Sequence, residues 1–192
     1  MLYSELQCSE AIHKAVERMG FAEMTEIQEK TIPLMLAGHD VIAKAPTGTG
    51  KTCAFGIPVA EHIDPEKKYP QAVIMAPTRE LAQQIAEELT NLTYFMPEVQ
   101  VACVYGGANM EKQARRLAEG CQIVVATPGR LMDHYKHHSI DLAHVTQVVL
   151  DEADEMLNMG FYKDVRHIIE MMKARKALSM FSATISREVM DI

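Results

Sequence analysis

Along the chain, short runs of apolar and β-branched residues alternate with longer stretches in which apolar positions recur at helical spacing. Asp40–Ala45, Ala72–Ala76, Gln100–Val104, Gln122–Thr127, Gln147–Asp151 and Leu178–Ser182 are the strand candidates. They are nearly continuous apolar runs without two-residue alternation, the pattern of parallel strands covered on both faces. Glu80–Leu92, Asn109–Glu119 and Tyr162–Lys173 carry helical spacing between them. This alternation predicts an α/β fold, a central parallel β-sheet with helices on both faces, whose ligands sit at the carboxyl ends of the strands. A helical preface of about 35 residues comes before the first strand, with Thr25 as N-cap and Gln28 completing a capping box. Asp64–Pro70 is polar and proline-flanked, an exposed loop.

Composition narrows the class. With 192 residues, 48% hydrophobic and 23% charged, the chain suits one α/β domain and is too short for two large ones. No apolar stretch approaches the ~20 residues of a membrane span, and no signal layout opens the chain. Cys8, Cys53, Cys103 and Cys121 stand singly, without zinc-site spacing, and read as reduced thiols of a cytoplasmic protein. The formal charge of -7 argues against holding nucleic acid by bulk electrostatics, so any such contact must be made locally by a few placed groups.

Candidate chemistry falls at the strand ends. Ala45-Pro46-Thr47-Gly48-Thr49-Gly50-Lys51-Thr52 follows a strand and opens a helix. Its glycines let backbone N–H groups face a phosphate, and the helix N-terminus adds a favourable dipole. Lys51 would neutralise β- and γ-phosphates, and the Thr52 hydroxyl would ligate Mg²⁺. The strict pattern has Gly where this chain has Ala45, and a glycine-rich turn before an ordinary helix is the plain alternative. Val148-Val149-Leu150 runs into Asp151-Glu152-Ala153-Asp154. Asp151 would hold Mg²⁺ through water and Glu152 would orient or deprotonate the attacking water. Taken alone, two acids after a strand also fit a helix N-terminus stabilised by negative charge.

The phosphate loop in its A-x-T-G-x-G-K-T form, with Asp-Glu-Ala-Asp at 151–154, resembles the DEAD-box RNA helicases. Gly20-Phe21 followed by Thr25-Glu26-Ile27-Gln28 is similar to the family's Q motif, with Tyr3 as its upstream aromatic. Pro77-Thr78-Arg79-Glu80-Leu81-Ala82, Gly106-Gly107, Thr127-Pro128-Gly129-Arg130 and Ser182-Ala183-Thr184 match further motifs in family order. Two departures stand out: Met24 and Ser186 occupy positions where the family usually has Pro.

The resemblance implies a RecA-like P-loop domain over residues 1–192, divided into a helical Q-motif region, 1–38, and a P-loop core, 39–192. It implies ATP as cofactor, with Gln28 reading adenine, a pairing its amide can make and guanine cannot match. Phe21 would stack on the base and Thr25 would belong to the same loop. Pro77, Thr78, Arg79, Gly107, Thr127, Gly129 and Arg130 would track an RNA backbone without reading sequence, because phosphate and sugar carry no base identity. Asp154, Ser182 and Thr184 would couple the acids to the RNA side. A second RecA-like domain, which these residues lack, would bring the arginines that complete the ATPase site, in a monomeric parent. Two other readings stay open: a nucleotide- and RNA-binding module without turnover, and a P-loop ATPase acting on protein or DNA.

Other features invite plain readings. His134, His137 and His138 lack partners for a metal set and read as a solvated polar face. Cys53, beside Thr52, reads as a small buried residue behind the loop, and the fourteen methionines as core and helix-face filler.

Overall fold

A computed structural model of the chain describes residues 1–45 and 50–192. Pro46, Thr47, Gly48 and Thr49, expected to cradle phosphate, lie outside the described residues. Six parallel strands form one sheet: β1 (Ile42–Lys44), β2 (Ala72–Met75), β3 (Val101–Val104), β4 (Ile123–Ala126), β5 (Gln147–Asp151) and β6 (Ala177–Ser182), in the order β1-β6-β5-β2-β4-β3. Every strand overlaps its expected position.

The central strands are buried on both faces, as their unbroken apolar runs require. Ala72, Ile74 and Ala76 point into one core with Ile32, Phe55, Ile85 and Phe181; Val73 and Met75 point into the other with Leu131, Val148, Leu150 and Ile168. The edge strands differ. In β1 only Ala43 is buried, and Ile42 is 45% exposed; β3 alternates between half-buried and buried residues. An edge strand lacks a neighbour and full helical cover on one side, so a two-sided core does not form there.

The first core is closed by α1 (Glu10–Arg18), α2 (Glu26–Leu36), α3 (Lys51–Glu61) and α4 (Arg79–Leu92). α5 (Met110–Ala118), α6 (Pro128–Lys136), α7 (Ala153–Asn158), α8 (Tyr162–Met171) and α9 (Arg187–Met190) complete the described helices. Almost all of α3 is buried, from Cys53 to Ala60, so the helix behind the phosphate loop is a core element. Met24 packs into the first core, and Ser186 caps α9 by accepting from the Val189 N–H, so both departures from the family pattern have structural uses.

Candidate functional site

All six strands end at the same edge of the sheet. Strands β1, β6 and β5 lead to Lys51, Ser182 and Asp151, whereas β2, β4 and β3 lead to Arg79, Thr127 and Gly107. The strand order therefore sorts the motifs expected to bind nucleotide to one half of the edge and those expected to bind RNA to the other.

At the outer end of the nucleotide half, Thr25 caps α2 in a complete capping box: its hydroxyl accepts from the Gln28 N–H, and Gln28 Oε1 accepts from the Thr25 N–H at 2.9 Å. Gln28 is 3% exposed; Oε1 also accepts from the Tyr3 hydroxyl, and Nε2 donates to the Gly50 carbonyl at 3.0 Å. The amide thus serves as cap and as a strap on the phosphate loop. Gly50 has φ 74°, and a Cβ there would sit 2.6 Å from Gln28 Nε2, so both conformation and space demand glycine. Phe21 is 44% exposed and stacks on Tyr3 with ring centroids 6.3 Å apart, leaving an aromatic surface open.

At the inner end, Lys51 Nζ lies 3.1 Å from Asp151 Oδ1 and 3.9 Å from Glu152. Lys51 and Asp151 are both buried, and burial pushes the Asp151 carboxyl above its ordinary value despite the opposing pull of Lys51. Glu152 has φ 52°, left-handed backbone that non-glycine residues rarely take, and its N–H donates to Asp151 Oδ1. This strained corner turns the chain from β5 into α7. Gly50, Lys51, Thr52, Gln84, Glu88 and Asp151 line a small cavity of about 110 Å³.

Glu88 is absent from the sequence-derived set. It is half-buried on α4, hydrogen-bonded to the Thr52 side chain, and its carboxyl is pushed up first by burial. Leu81, Gln84 and Glu88 share one helix face by their spacing, yet what that face meets depends on how α4 packs on α3.

Asp154, Ser182 and Thr184 come together. Ser182 Oγ accepts from the Asp154 N–H and donates to the Thr184 carbonyl, while Thr184 N–H and Oγ1 donate to Asp154 Oδ2 at 3.2 and 3.0 Å. The Ala45 N–H reaches the Ser182 carbonyl at 2.9 Å, so β6 ties the acids to the start of the phosphate loop.

On the other half, Arg79 is exposed, sits over the Tyr105 ring at 4.7 Å, and approaches Gly107, whose φ is 84°. Thr78 caps α4 by accepting from the Leu81 N–H, but the Thr127 side chain makes no capping bond to α6. Pro77 is buried, and Gly129 lies beside Phe161. Arg130 is largely buried: its side chain is 13% exposed and its Nη1 donates to the Ala108 carbonyl at 2.9 Å and to Gln113 Oε1 at 3.1 Å.

His134 corrects the expectation of a solvated face. It is fully buried with Nε2 3.1 Å from Gln113 Oε1, whereas His137 and His138 are exposed. Its spacing from Leu131 turns it to the core side of α6, where Gln113 meets one of its two ring nitrogens. Cys53 is buried and its thiol is pushed up to about 12, so desolvation outweighs the helix dipole. The four cysteines are free thiols.

The oxygen donors fit a hard cation shared with phosphate. Among the described residues no group of three His, Cys, Asp or Glu could hold a metal unaided. Thr52 and Asp151 supply one hydroxyl and one carboxylate beside a lysine, a partial set of the kind Mg²⁺ completes with water and phosphate oxygens. A larger cavity of about 790 Å³, bordered by Tyr69, Tyr135, Lys136 and Ile140, lies by the segments that lead into the strands, opposite the motif-bearing edge.

A parallel sheet with a lysine opening the helix after β1, paired acids at the end of β5 and a second row of motifs after β2, β3 and β4 defines a P-loop domain of the helicase class. Residues 25–192 match the DEAD/DEAH box helicase family, and the chain belongs to it. It is 52% identical to the ATP-dependent RNA helicase CshA of Listeria monocytogenes over 95% of this chain and 35% of that protein. It is 43% identical to the ATP-dependent RNA helicase DeaD of Escherichia coli over 99% of this chain and 30% of that protein. The chain therefore spans about a third of the length of these relatives. Among solved structures, a DEAD box protein from Methanococcus jannaschii aligns with a TM-score of 0.92 and 40% identity, covering 100% of this chain and 52% of that one. A hypothetical ATP-dependent RNA helicase from Sulfolobus tokodaii gives 0.88 and 42%, covering 95% and 53%. The fold is a RecA-like domain of this family. No described helix is long and apolar enough to cross a membrane.

Proposed function

We propose that this chain is the ATP-binding half of an ATP-dependent RNA helicase that couples nucleotide turnover to unwinding RNA duplexes or remodelling RNA–protein complexes. The carrying observation is the buried Lys51–Asp151 pair, 3.1 Å apart, at the strand edge that also carries Arg79 and Arg130. A buried ammonium held by carboxylates is set to exchange one of them for a phosphate oxygen. Lys51 then neutralises β- and γ-phosphates, and Glu152 orients the attacking water and accepts its proton. Mg²⁺, held by Thr52 and through water by Asp151, supplies charge to the phosphate oxygens when bound.

Ala45 to Thr52 form the phosphate cradle, Phe21 stacks on the base, and Gln28 reads adenine. Gln28 Nε2 has one further N–H for adenine N7, whereas pairing with N6 requires Oε1 to release Tyr3 or Thr25. RNA lies along Pro77, Thr78, Arg79, Gly107, Thr127, Gly129 and Arg130 and is bound without regard to sequence. Asp154, Ser182 and Thr184 relay between the two halves. Residues 1–38 and 39–192 act as one unit, and a second RecA-like domain in a monomeric cytoplasmic parent supplies the catalytic arginines. That charge is worth ~10³–10⁵ in rate in comparable enzymes. Arg79 and Arg130 are engaged on the other half of the edge.

The test is calorimetry with ADP and GDP, then steady-state hydrolysis with and without single-stranded RNA, using Glu152→Gln as background. ADP should bind in preference to GDP, with little RNA-stimulated turnover until a second domain is added. Failure to bind ADP rejects the nucleotide site, and robust stimulation in residues 1–192 rejects the division of labour between domains.

A further inference from the structure

Around Arg130 lies a polar cluster that no motif accounts for. Gln113, on α5, is 8% exposed and uses both ends of its amide: Nε2 donates to the Tyr105 carbonyl at 3.0 Å, and Oε1 receives Arg130 Nη1 and His134 Nε2, each at 3.1 Å. Only one orientation of the amide satisfies all three partners, because the Tyr105 carbonyl needs a donor and Arg130 an acceptor. His134 must then carry its proton on Nε2, leaving Nδ1 bare, and Nδ1 has no partner. Burial, and then the neighbouring Arg130, push the pKa of this imidazole below its ordinary value.

Arg130 Nη1 has two hydrogens, and both are committed, one to Ala108 and one to Gln113. The opposite edge of the guanidinium, Nε with Nη2, is the fork that takes a phosphate through two parallel bonds. Nε is buried without a hydrogen-bond partner, and an exposed carboxylate oxygen of Asp133 stands 3.7 Å from it. An unmet donor with an exposed carboxylate just beyond hydrogen-bonding distance is what a phosphate site looks like before its ligand arrives. The same cluster pins both ends of the Gly106–Gly107 loop, through the Tyr105 and Ala108 carbonyls, and that loop borders Arg79.

We infer that Gln113 is a positioning residue for RNA: it clamps one nitrogen of Arg130 to the loop after β3, so that the guanidinium offers its free edge to a backbone phosphate. The inference rests on the RNA reading proposed above. Its cause is geometric, since an arginine fixed at one edge loses little freedom when the other edge binds.

The test measures binding of a labelled oligouridine to residues 1–192 at several salt concentrations, for wild type, Gln113→Ala, Arg130→Ala and the double variant, with ADP binding as a control. Gln113→Ala should weaken RNA binding about tenfold and flatten the salt dependence by ~0.7 in log–log slope, one phosphate contact on a single strand. ADP affinity should stay unchanged, which a merely structural defect would not allow. In the Arg130→Ala background, Gln113→Ala should add little. Additive losses, or an unchanged salt slope, overturn the positioning role. Gln113→Met, which keeps the side-chain length and removes both the donor and the acceptor, guards against misfolding: it should flatten the slope as Gln113→Ala does, and a wild-type slope there also counts against the proposal. If wild type binds no oligouridine at low salt, or if Arg130→Ala binds it as wild type does, the underlying RNA reading falls and this inference with it.

Discussion

At the scale of single residues, the buried Lys51–Asp151 pair carries a stability cost if broken. Both side chains are buried, so removing the cation strands a carboxylate in low dielectric. Lys51→Met should lower the unfolding free energy by about 3–5 kcal/mol near neutral pH. Burial already raises the folded carboxyl, and losing Lys51 raises it further. The folded state then favours the protonated acid. The penalty is absent below the ordinary carboxylate range and grows as pH rises through the raised value. Denaturant titrations at pH 4 and 7 should therefore show the larger loss at pH 7, with Asp151→Asn added to Lys51→Met restoring part of it. Glu152 stores strain of a different kind. Glu152→Gly removes the left-handed penalty, roughly 1–2 kcal/mol, against a loss of about 0.4–1 in unfolded-chain entropy. Chemical denaturation should show equal or slightly raised stability, alongside lost hydrolysis in the complete enzyme; clear destabilisation would mean that the backbone at 152 is not strained.

At the scale of elements, α2 is joined to the phosphate loop through one amide. Gln28 closes the capping box, satisfies Tyr3 and holds the Gly50 carbonyl. Gln28→Ala should cost about 1–2 kcal/mol, combining a lost cap with an unsatisfied buried hydroxyl. It should also narrow the ratio of ADP to GDP affinity. A stability change with selectivity untouched would leave Gln28 as a cap and strap alone. Gly50→Ala meets Gln28 Nε2 at 2.6 Å and must take a positive φ, so it should weaken ADP binding more than adenosine binding. Equal losses for both ligands would place the fault in the fold and not in the phosphate loop.

At the scale of the whole molecule, a net charge of -7 and local arginines make a clear statement about RNA. Binding by a few placed groups gives a shallow salt dependence, about -0.7 in log–log slope for each phosphate held. Salt titration of the whole chain should yield a slope set by one or two contacts. A steep slope would require a basic surface that the composition does not supply.

What the sequence by itself determined was the order of strands and helices, the parallel sheet, and the motifs at the strand ends. Unbroken apolar runs, capping patterns and glycine-rich turns are local signals, and local backbone physics acts on them directly. The Thr25–Gln28 box was readable for the same reason, since its partners are three residues apart. Tertiary structure decided the rest. The pairing of β5 with β2 and β6, and of β2 with β4, set Lys51, Asp151 and Ser182 on one half of the strand edge and Arg79, Thr127 and Gly107 on the other. Glu88 reached Thr52, and Gln113 reached Arg130 and His134, only because α4 packs on α3 and α5 lies beside the turn into α6. Such encounters join polar groups far apart in the chain, and their worth comes from burial, a property no short stretch of sequence possesses.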